Sequence, residues 1–395
     1  MSIANELNRI ISAKSDIRDA IIAKGVSVPS AATIDSYADY VSQISGGGGG
    51  ETFEIIECHN MNPYKLSGIK FEYEQYGETK VLYHFTELSQ YWDYTGDCVS
   101  DYDEAEEEPF YIEAVDNIEF QFNPDNDGLY YTDDYWGDWT YYDTSDPQTI
   151  TLNAGEKLYI KRNNIKGFGY LFGNDFGSGG SRPDGRFNVG GNIMSLLVDN
   201  YDSFLDYGGL DYFNQMMAFN TNFQFLLDQC QNLVSAEHLI LVPFIAVGYG
   251  YMFYGCSGLT TTPKFLPTTL LLDDCYIYMF KSCSGLTTAP ELPATTLASV
   301  CYGGMFEGCT SLTTAPELPA TTLVDRCYYG MFSDCTSLNY IKCLATDISA
   351  NMCTDNWVSG VANSGTFVKA DSMTDWTTSI DGIPSGWTVV NESDE

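Results

Sequence analysis

The stretch that decides the fold is a tandem repeat: CYIYMFKSCSGLTTAPELPATTLASV (275–300) is followed directly by CYGGMFEGCTSLTTAPELPATTLVDR (301–326). Its central segment occurs four times, as MFYGCSGL (252–259), MFKSCSGL (279–286), MFEGCTSL (305–312) and MFSDCTSL (331–338). A fixed period of this length is typical of stacked coils, because each unit is too short to bury its apolar face without its neighbours. The repeat therefore predicts a solenoid.

Cysteines occupy the same positions in successive units. One column, at intervals of 26 or 27 residues, contains Cys230, Cys256, Cys283, Cys309 and Cys335. A second column, four residues before each Met, contains Cys275, Cys301 and Cys327. The chain has no C-x-x-C pair and only three histidines, whereas a zinc site normally shows paired ligands. We expect buried, unpaired thiols in the repeat core, with redox or metal chemistry as the alternative.

The unit x-C-Y-x-x-M-F-x-x-C-x-x-L-T-T-A-P-E-L-P-A-T-T-L resembles the BspA-like leucine-rich repeats of gut-bacterial surface proteins and of tailed (crAss-like) phages. The resemblance covers roughly residues 200–345 and carries no catalytic residues. It implies a leucine-rich-repeat solenoid over 166–345 and a C-terminal cap over 346–395. Five large or apolar side chains would cover the last coil: Cys343, Trp357, Phe367, Trp376 and Trp387.

The N-terminal segment carries apolar residues at heptad spacing. These residues, interrupted by Lys14, are Ile3, Leu7, Ile10, Ile17 and Ile21. The spacing predicts a helical oligomerisation and anchoring module over 1–45. Isoleucine at alternating seam positions favours more than two strands, and we expect a homotrimer. The segment also resembles modules at the N-termini of phage tail and fibre proteins, which implies contacts with other virion proteins; a monomeric helical hairpin is the alternative.

Five consecutive glycines, residues 46–50, separate this module from the rest of the chain. Such a run cannot pack into a core and predicts a flexible linker. Residues 51–165 combine alternating patterns with many aromatic side chains, which predicts an acidic, β-sandwich-like domain. The expected fold is therefore a mainly β multidomain chain: helical module, sandwich-like domain, leucine-rich-repeat solenoid and C-terminal cap.

One possible cofactor site is a calcium loop in the acidic domain. Asn123, Asp125 and Asp127 alternate before Gly128, and Asp134 follows at the eleventh residue after Asn123. This spacing follows the oxygen ligands and the glycine turn of calcium loops. Flanking helices are not indicated, however, and Asn, Asp and Gly are common in ordinary turns. A plain turn is the alternative, and no other cofactor is suggested.

Composition limits the partners. With 18 Lys and Arg against 54 Asp and Glu, the formal charge is −36, which disfavours nucleic acid and anionic membranes. No apolar run approaches the ~20 residues of a membrane span. We expect no nucleic-acid partner and no membrane partner.

Three functions stay open. The first is a non-enzymatic structural virion protein, a phage head or tail fibre or decoration protein that adheres to a host surface protein or glycan. The second is a bacterial cell-surface adhesin, and the third is a virion-associated polysaccharide-degrading enzyme. No secretory signal is visible at the start of the sequence, and no common catalytic motif occurs. Since unpaired thiols suit a reducing compartment, we favour a virion-surface protein assembled in the host cytoplasm.

Overall fold

The computed structural model describes residues 52–59, 64–75, 78–90, 108–123, 128–134, 137–162, 169–173, 179–196, 223–241, 248–264, 266 and 271–395. The expected helical module (1–45) and glycine linker (46–50) lie outside these residues. The chain forms two compact units, Met1–Glu57 with Ser67–Thr86, and Cys58–Leu66 with Glu87–Glu395. The described residues form strands, turns and two short 3-10 helices, Ile193–Leu196 and Glu392–Asp394. The prediction of a mainly β chain is confirmed.

Three long strands, most of which belong to the first unit, form one sheet in chain order. They are β1 (Thr52–His59), β2 (Tyr64–Gln75) and β3 (Glu78–Gln90). Their sequences are rich in aromatic and β-branched residues, as in TFEIIEC and KVLYHF, and such residues favour extended backbone.

The second unit contains two further sheets before the tandem repeats. Their strands are β4 (Tyr111–Ala114), β5 (Ile118–Phe120), β6 (Leu129–Thr132), β7 (Thr140–Tyr141), β8 (Ile150–Leu152), β9 (Lys157–Arg162), β10 (Phe187–Asn192) and β11 (Leu233–Ile240). Six strands are ordered β11–β10–β4–β9–β6–β7, and β5 pairs with β8. All neighbours are antiparallel except β10 and β11, which run parallel. This sheet contains strands on both sides of the domain boundary expected at residue 165.

An aromatic cluster joins the two sheets. Phe120 of β5 contacts Phe172 edge to face, with ring centroids 5.4 Å apart, and Phe172 contacts Phe187 of β10 at 5.9 Å. Phe122 lies 5.3 Å from Phe120, and these four rings are at most 2% exposed. Edge-to-face contacts add to the free energy of burying such rings. The cluster therefore forms a common core for both sheets.

Backbone hydrogen bonds stack the repeat units on one another. In residues 274–283, every second N–H donates to the next unit, as from Tyr276 to Cys301 O (3.0 Å) and from Phe280 to Met305 O (2.9 Å). The N–H groups between them donate three residues back, as from Met279 to Tyr276 O (3.2 Å). The backbone of residues 274–283 is thus a succession of β-turns. The same alternation recurs in the neighbouring units, so each unit satisfies the backbone of the one before it.

Side chains in these turns alternate in pairs. Cys275 and Tyr276 are buried, the next two residues are half-buried, and Met279 and Phe280 are again buried. In each outward pair the second residue adopts a left-handed backbone, as at Asp274 (φ 58°), Tyr278 (φ 53°) and Ser282 (φ 63°). Glycine occupies equivalent positions in the next unit, at Gly304 and Gly308. This four-residue rhythm explains the motif C-Y-x-x-M-F-x-x-C, which follows neither helical nor strand periodicity.

The buried rings of successive units form two columns. The phenylalanine column stacks with centroid spacings of 5.4, 5.8 and 5.8 Å and consists of Phe253, Phe280, Phe306 and Phe332. The tyrosine column stacks at 6.0, 5.9 and 6.2 Å and consists of Tyr249, Tyr276, Tyr302 and Tyr328. Because identical rings occupy identical places, the packing is repeated from unit to unit.

The stack continues into a three-stranded parallel sheet. Its strands are β12 (Tyr340–Cys343), β13 (Thr366–Lys369) and β14 (Thr388–Asn391). Trp357 follows Tyr328 in the tyrosine column at 6.3 Å, stacks on Trp376 at 5.5 Å and donates its Nε1–H to Gly382 O (2.9 Å). These indoles therefore cover the apolar end of the ring columns, which an open stack requires.

We predict that relieving backbone strain at Val300 stabilises the protein. Val300 has φ 56°, and a β-branched residue in this region is a steric outlier that costs about 1–2 kcal/mol. Because asparagine tolerates the left-handed region, Val300→Asn should raise the free energy of unfolding by about 1 kcal/mol in urea denaturation.

Val324→Asn is the matched control, since Val324 is also half-buried but is not among the residues with positive φ. Val324→Asn should lower the free energy of unfolding. Equal destabilisation by both substitutions would contradict strain at Val300.

Candidate functional site

The structure brings the predicted repeat cysteines together in the core. All eight are unpaired and at most 6% exposed: Cys230, Cys256, Cys275, Cys283, Cys301, Cys309, Cys327 and Cys335. Two further buried thiols, Cys343 and Cys353, lie towards the end of the stack. The described ranges from residue 223 to residue 395 thus enclose ten free thiols, and none of these ten lies on the surface.

In the first column, the four thiols from Cys256 to Cys335 each donate a hydrogen bond to the preceding unit, beginning with Cys256 Sγ to Leu227 O (3.0 Å). The Sγ of Cys283 lies 3.1 Å from Phe253 O, that of Cys309 lies 3.1 Å from Phe280 O, and that of Cys335 lies 3.0 Å from Phe306 O. Each of these carbonyls also accepts an N–H bond from the cysteine of its own unit, as from Cys256 to Phe253 O (3.1 Å). Cysteine therefore fills a small buried space and supplies a weak donor there.

The second column makes weaker contacts in the opposite direction. The Sγ of Cys275 lies 4.0 Å from Cys301 O, and the Sγ of Cys327 lies 3.9 Å from Cys353 O. These carbonyls already accept the N–H groups of Tyr276 and Tyr328. The second column thus contributes mainly by filling space in the buried core.

Burial also makes these thiols unreactive. Desolvation raises the pKa of Cys275 and Cys335 to about 12, because the thiolate would lie in an apolar interior. Burial likewise raises the pKa of Cys301 and Cys309 well above its ordinary value. Since the thiolate is the nucleophile and the metal ligand, this environment opposes both kinds of chemistry.

The calcium-loop residues are only partly described. Asn123 is 3% exposed and its N–H donates to Leu171 O (3.0 Å), whereas Asp134 lies in the exposed turn between β6 and β7. There Thr132 Oγ1 accepts the N–H of Asp134 (3.2 Å), and Gly137 N–H donates to Asp134 O (2.8 Å). Asp125 and Asp127 lie outside the described residues. Within the described ranges, no three or more His, Cys, Asp or Glu side chains form a group that could hold a metal ion.

A strip of aromatic rings lies on the outer surface of the stack, and sequence reasoning missed it. This outer aromatic strip consists of Tyr170, Phe225, Tyr251 and Tyr278, all half-buried, with successive ring centroids 5.5, 4.7 and 5.2 Å apart. Three of the four residues adopt positive φ. The signal was present as the residue before each Met-Phe pair, which is Tyr251, Tyr278, Gly304 and then Gly330.

The outer aromatic strip ends at an ion pair. Lys281 Nζ lies 4.6 Å from the ring centroid of Tyr278 and 2.9 Å from Glu307 Oε1. In the following units Gly304 and Gly330 take the place of the aromatic residue, and a side chain at Gly330 would meet nothing within 4 Å. The strip therefore ends at Tyr278 and does not continue along the stack.

The chain matches no protein-family model, no curated protein and no solved structure. Among the residues that the structure describes, no helix has the length and apolar character needed to cross a membrane.

We predict that the buried thiols resist alkylation in the native protein. Iodoacetamide at pH 8 should modify at most two of the twelve cysteines, because ten are buried as thiols of raised pKa. In guanidinium chloride all twelve should react, without prior reduction. Intact-mass spectrometry counts the adducts. Three or more adducts on native protein, or fewer than twelve after unfolding, would show that the thiols are accessible or paired.

Proposed function

We propose that this chain is a non-enzymatic structural protein of a phage particle, a head or tail fibre or decoration protein with a leucine-rich-repeat solenoid. The observation that carries the proposal is the repeated bonding between units, in which backbone, thiols and rings recur in register. Each unit is stabilised through its neighbours, so such a stack can be extended by adding units. The resemblance to BspA-like repeats of gut bacteria and their phages supports the same function.

The chemistry of the interior supports a structural role. Catalytic cysteines are exposed and have a lowered pKa, whereas Cys283 and Cys309 are fully buried and their pKa values are raised. A protein with ten buried free thiols suits assembly in a reducing compartment, here the host cytoplasm. We therefore assign it to the virion surface, where it would contact a host surface protein or glycan.

The proposed anchor is the N-terminal segment, whose heptad residues are Ile3, Leu7, Ile10, Ile17 and Ile21. A charge of −36 per chain opposes close association of the acidic bodies. The contacts between copies, and those with other virion proteins, would therefore concentrate in this segment.

Labelling of intact particles tests the virion assignment. An antibody against residues 271–395 should decorate purified particles at constant positions in electron micrographs, and these positions assign the protein to head or tail. The same antibody absorbed with purified protein is the control. Particles that stay unlabelled, although the antibody detects the protein in infected cells, would refute a virion role.

Light scattering tests the oligomer. The full chain should have the mass of a trimer, about three times 43.9 kDa, and a chain that begins at Glu51 should be monomeric. Replacing Ile10 and Ile17 by Asn in the full chain should also dissociate it, because polar seam residues weaken the helix contacts. A monomeric full chain, or a trimer that survives both changes, would exclude the anchoring role.

A further inference from the structure

A second aromatic surface lies at the β6–β7 edge of the six-stranded sheet. Tyr130 of β6 pairs directly with Tyr141 of β7 and with Lys161 of β9, so the three side chains share one face. The two tyrosine rings meet at 5.3 Å, and Lys161 Nζ lies 4.3 Å from the ring centroid of Trp139. We call Tyr130, Trp139, Tyr141 and Lys161 the sheet-face cluster.

The two faces of these strands differ sharply in their exposure to solvent. Tyr141 is 51% exposed, while Leu129 and Ile160 on the opposite face are fully buried. Contact between cross-strand neighbours stabilises a sheet, and this explains in part why tyrosines occupy positions 130 and 141. It does not require that large rings remain in contact with water, and clustered exposed aromatic side chains commonly mark binding surfaces.

Polar groups flank the sheet-face cluster on the same side of the sheet. Tyr159, paired with Thr132 and Tyr111, donates its hydroxyl to Glu108 Oε1 (3.2 Å), and Lys157 Nζ lies 3.3 Å from Glu108 Oε2. Burial and the Glu108 carboxylate raise the pKa of Tyr159 to about 12, so it remains a neutral phenol. The carboxylate is thus held in place, and each oxygen retains lone-pair capacity for another donor.

The charges around the cluster favour a ligand without net charge. Lys157 and Lys161 provide two ammonium groups, and Glu108 and Asp134 provide two carboxylates, so charges of both signs lie around the cluster. Glu108, Glu113 and the chain's overall charge of −36 oppose a polyanion. Flat rings beside fixed hydrogen-bonding groups suit a pyranose sugar, because its C–H face packs on an aromatic ring while its hydroxyls take the polar contacts.

We propose that the sheet-face cluster binds a neutral hexopyranose oligosaccharide, with Tyr141 and Trp139 as the stacking platform for one sugar ring and Glu108, which bonds to β9, as a hydrogen-bond acceptor for another. This inference deepens the proposed adhesive function and rests on it. It assigns recognition to the sheet that precedes the repeats, and leaves the repeat stack as the structural element.

An oligosaccharide array tests the proposal on the full chain. The probes are α- and β-linked glucose, mannose and galactose oligomers, with sialylated and sulfated oligomers alongside. At least one neutral oligomer should bind, and Tyr141→Ala and Trp139→Ala should each weaken that binding about tenfold or more in solution titration. Thr140→Ala is the matched control, because Thr140 lies on the other face of β7, and it should bind like the parent.

Each contrary outcome is decisive. Binding to no neutral oligomer, binding only to anionic oligomers, or binding unchanged by Tyr141→Ala would overturn the proposal. A change of oligomeric mass in Tyr141→Ala without loss of sugar binding would identify the face as a contact between copies instead. Labelled particles with no sugar binding would refute this inference alone, whereas sugar binding with unlabelled particles would refute the virion role alone.

Discussion

The structure of the repeats depends on the hydrogen bond from one unit to the next. In a chain of turns, half of the N–H groups cannot bond within their own unit. Each such group, if buried without a partner, would lower the stability of the fold by about 1–3 kcal/mol. The bonds from Tyr276 to Cys301 O and from Tyr302 to Cys327 O supply these partners at a constant interval. An insertion within a unit would break this register, which is why the length of the unit is so constant.

The side chains of the core follow from that register. Each position in one unit lies next to the same position in the next, so that rings stack on rings and four of the five first-column thiols donate to a carbonyl of the unit before them. Cysteine is suited to this place because it is small, apolar and able to donate weakly. The motif C-Y-x-x-M-F-x-x-C therefore reflects how the core is packed, and its many cysteines do not indicate disulfides or a metal site.

The outward positions are free of this constraint and differ between units. Along one outer column the chain places Phe225, Tyr251 and Tyr278 and then Gly304 and Gly330, although all adopt positive φ. On the preceding sheet, Tyr130 and Tyr141 face water above buried Leu129 and Ile160. Binding surfaces commonly arise in this way, from surface residues that differ while the buried core of the fold stays the same. Both aromatic surfaces belong to the second unit, in which the parallel pairing of β10 with β11 connects the sheet to the repeats.

Sequence by itself determined the period, the buried columns and the mainly β class, because repeated apolar residues must bury one another whatever the local backbone. It did not determine the succession of β-turns, since a four-residue rhythm is neither helical nor extended and positive φ at Val300 or Tyr278 contradicts local preference. Nor did it place β10 and β11 in the same sheet as β4, or Tyr130 beside Tyr141 and Lys161. Those neighbours are distant or ambiguous in sequence, and only strand order and register, which are properties of the whole fold, bring them to one face.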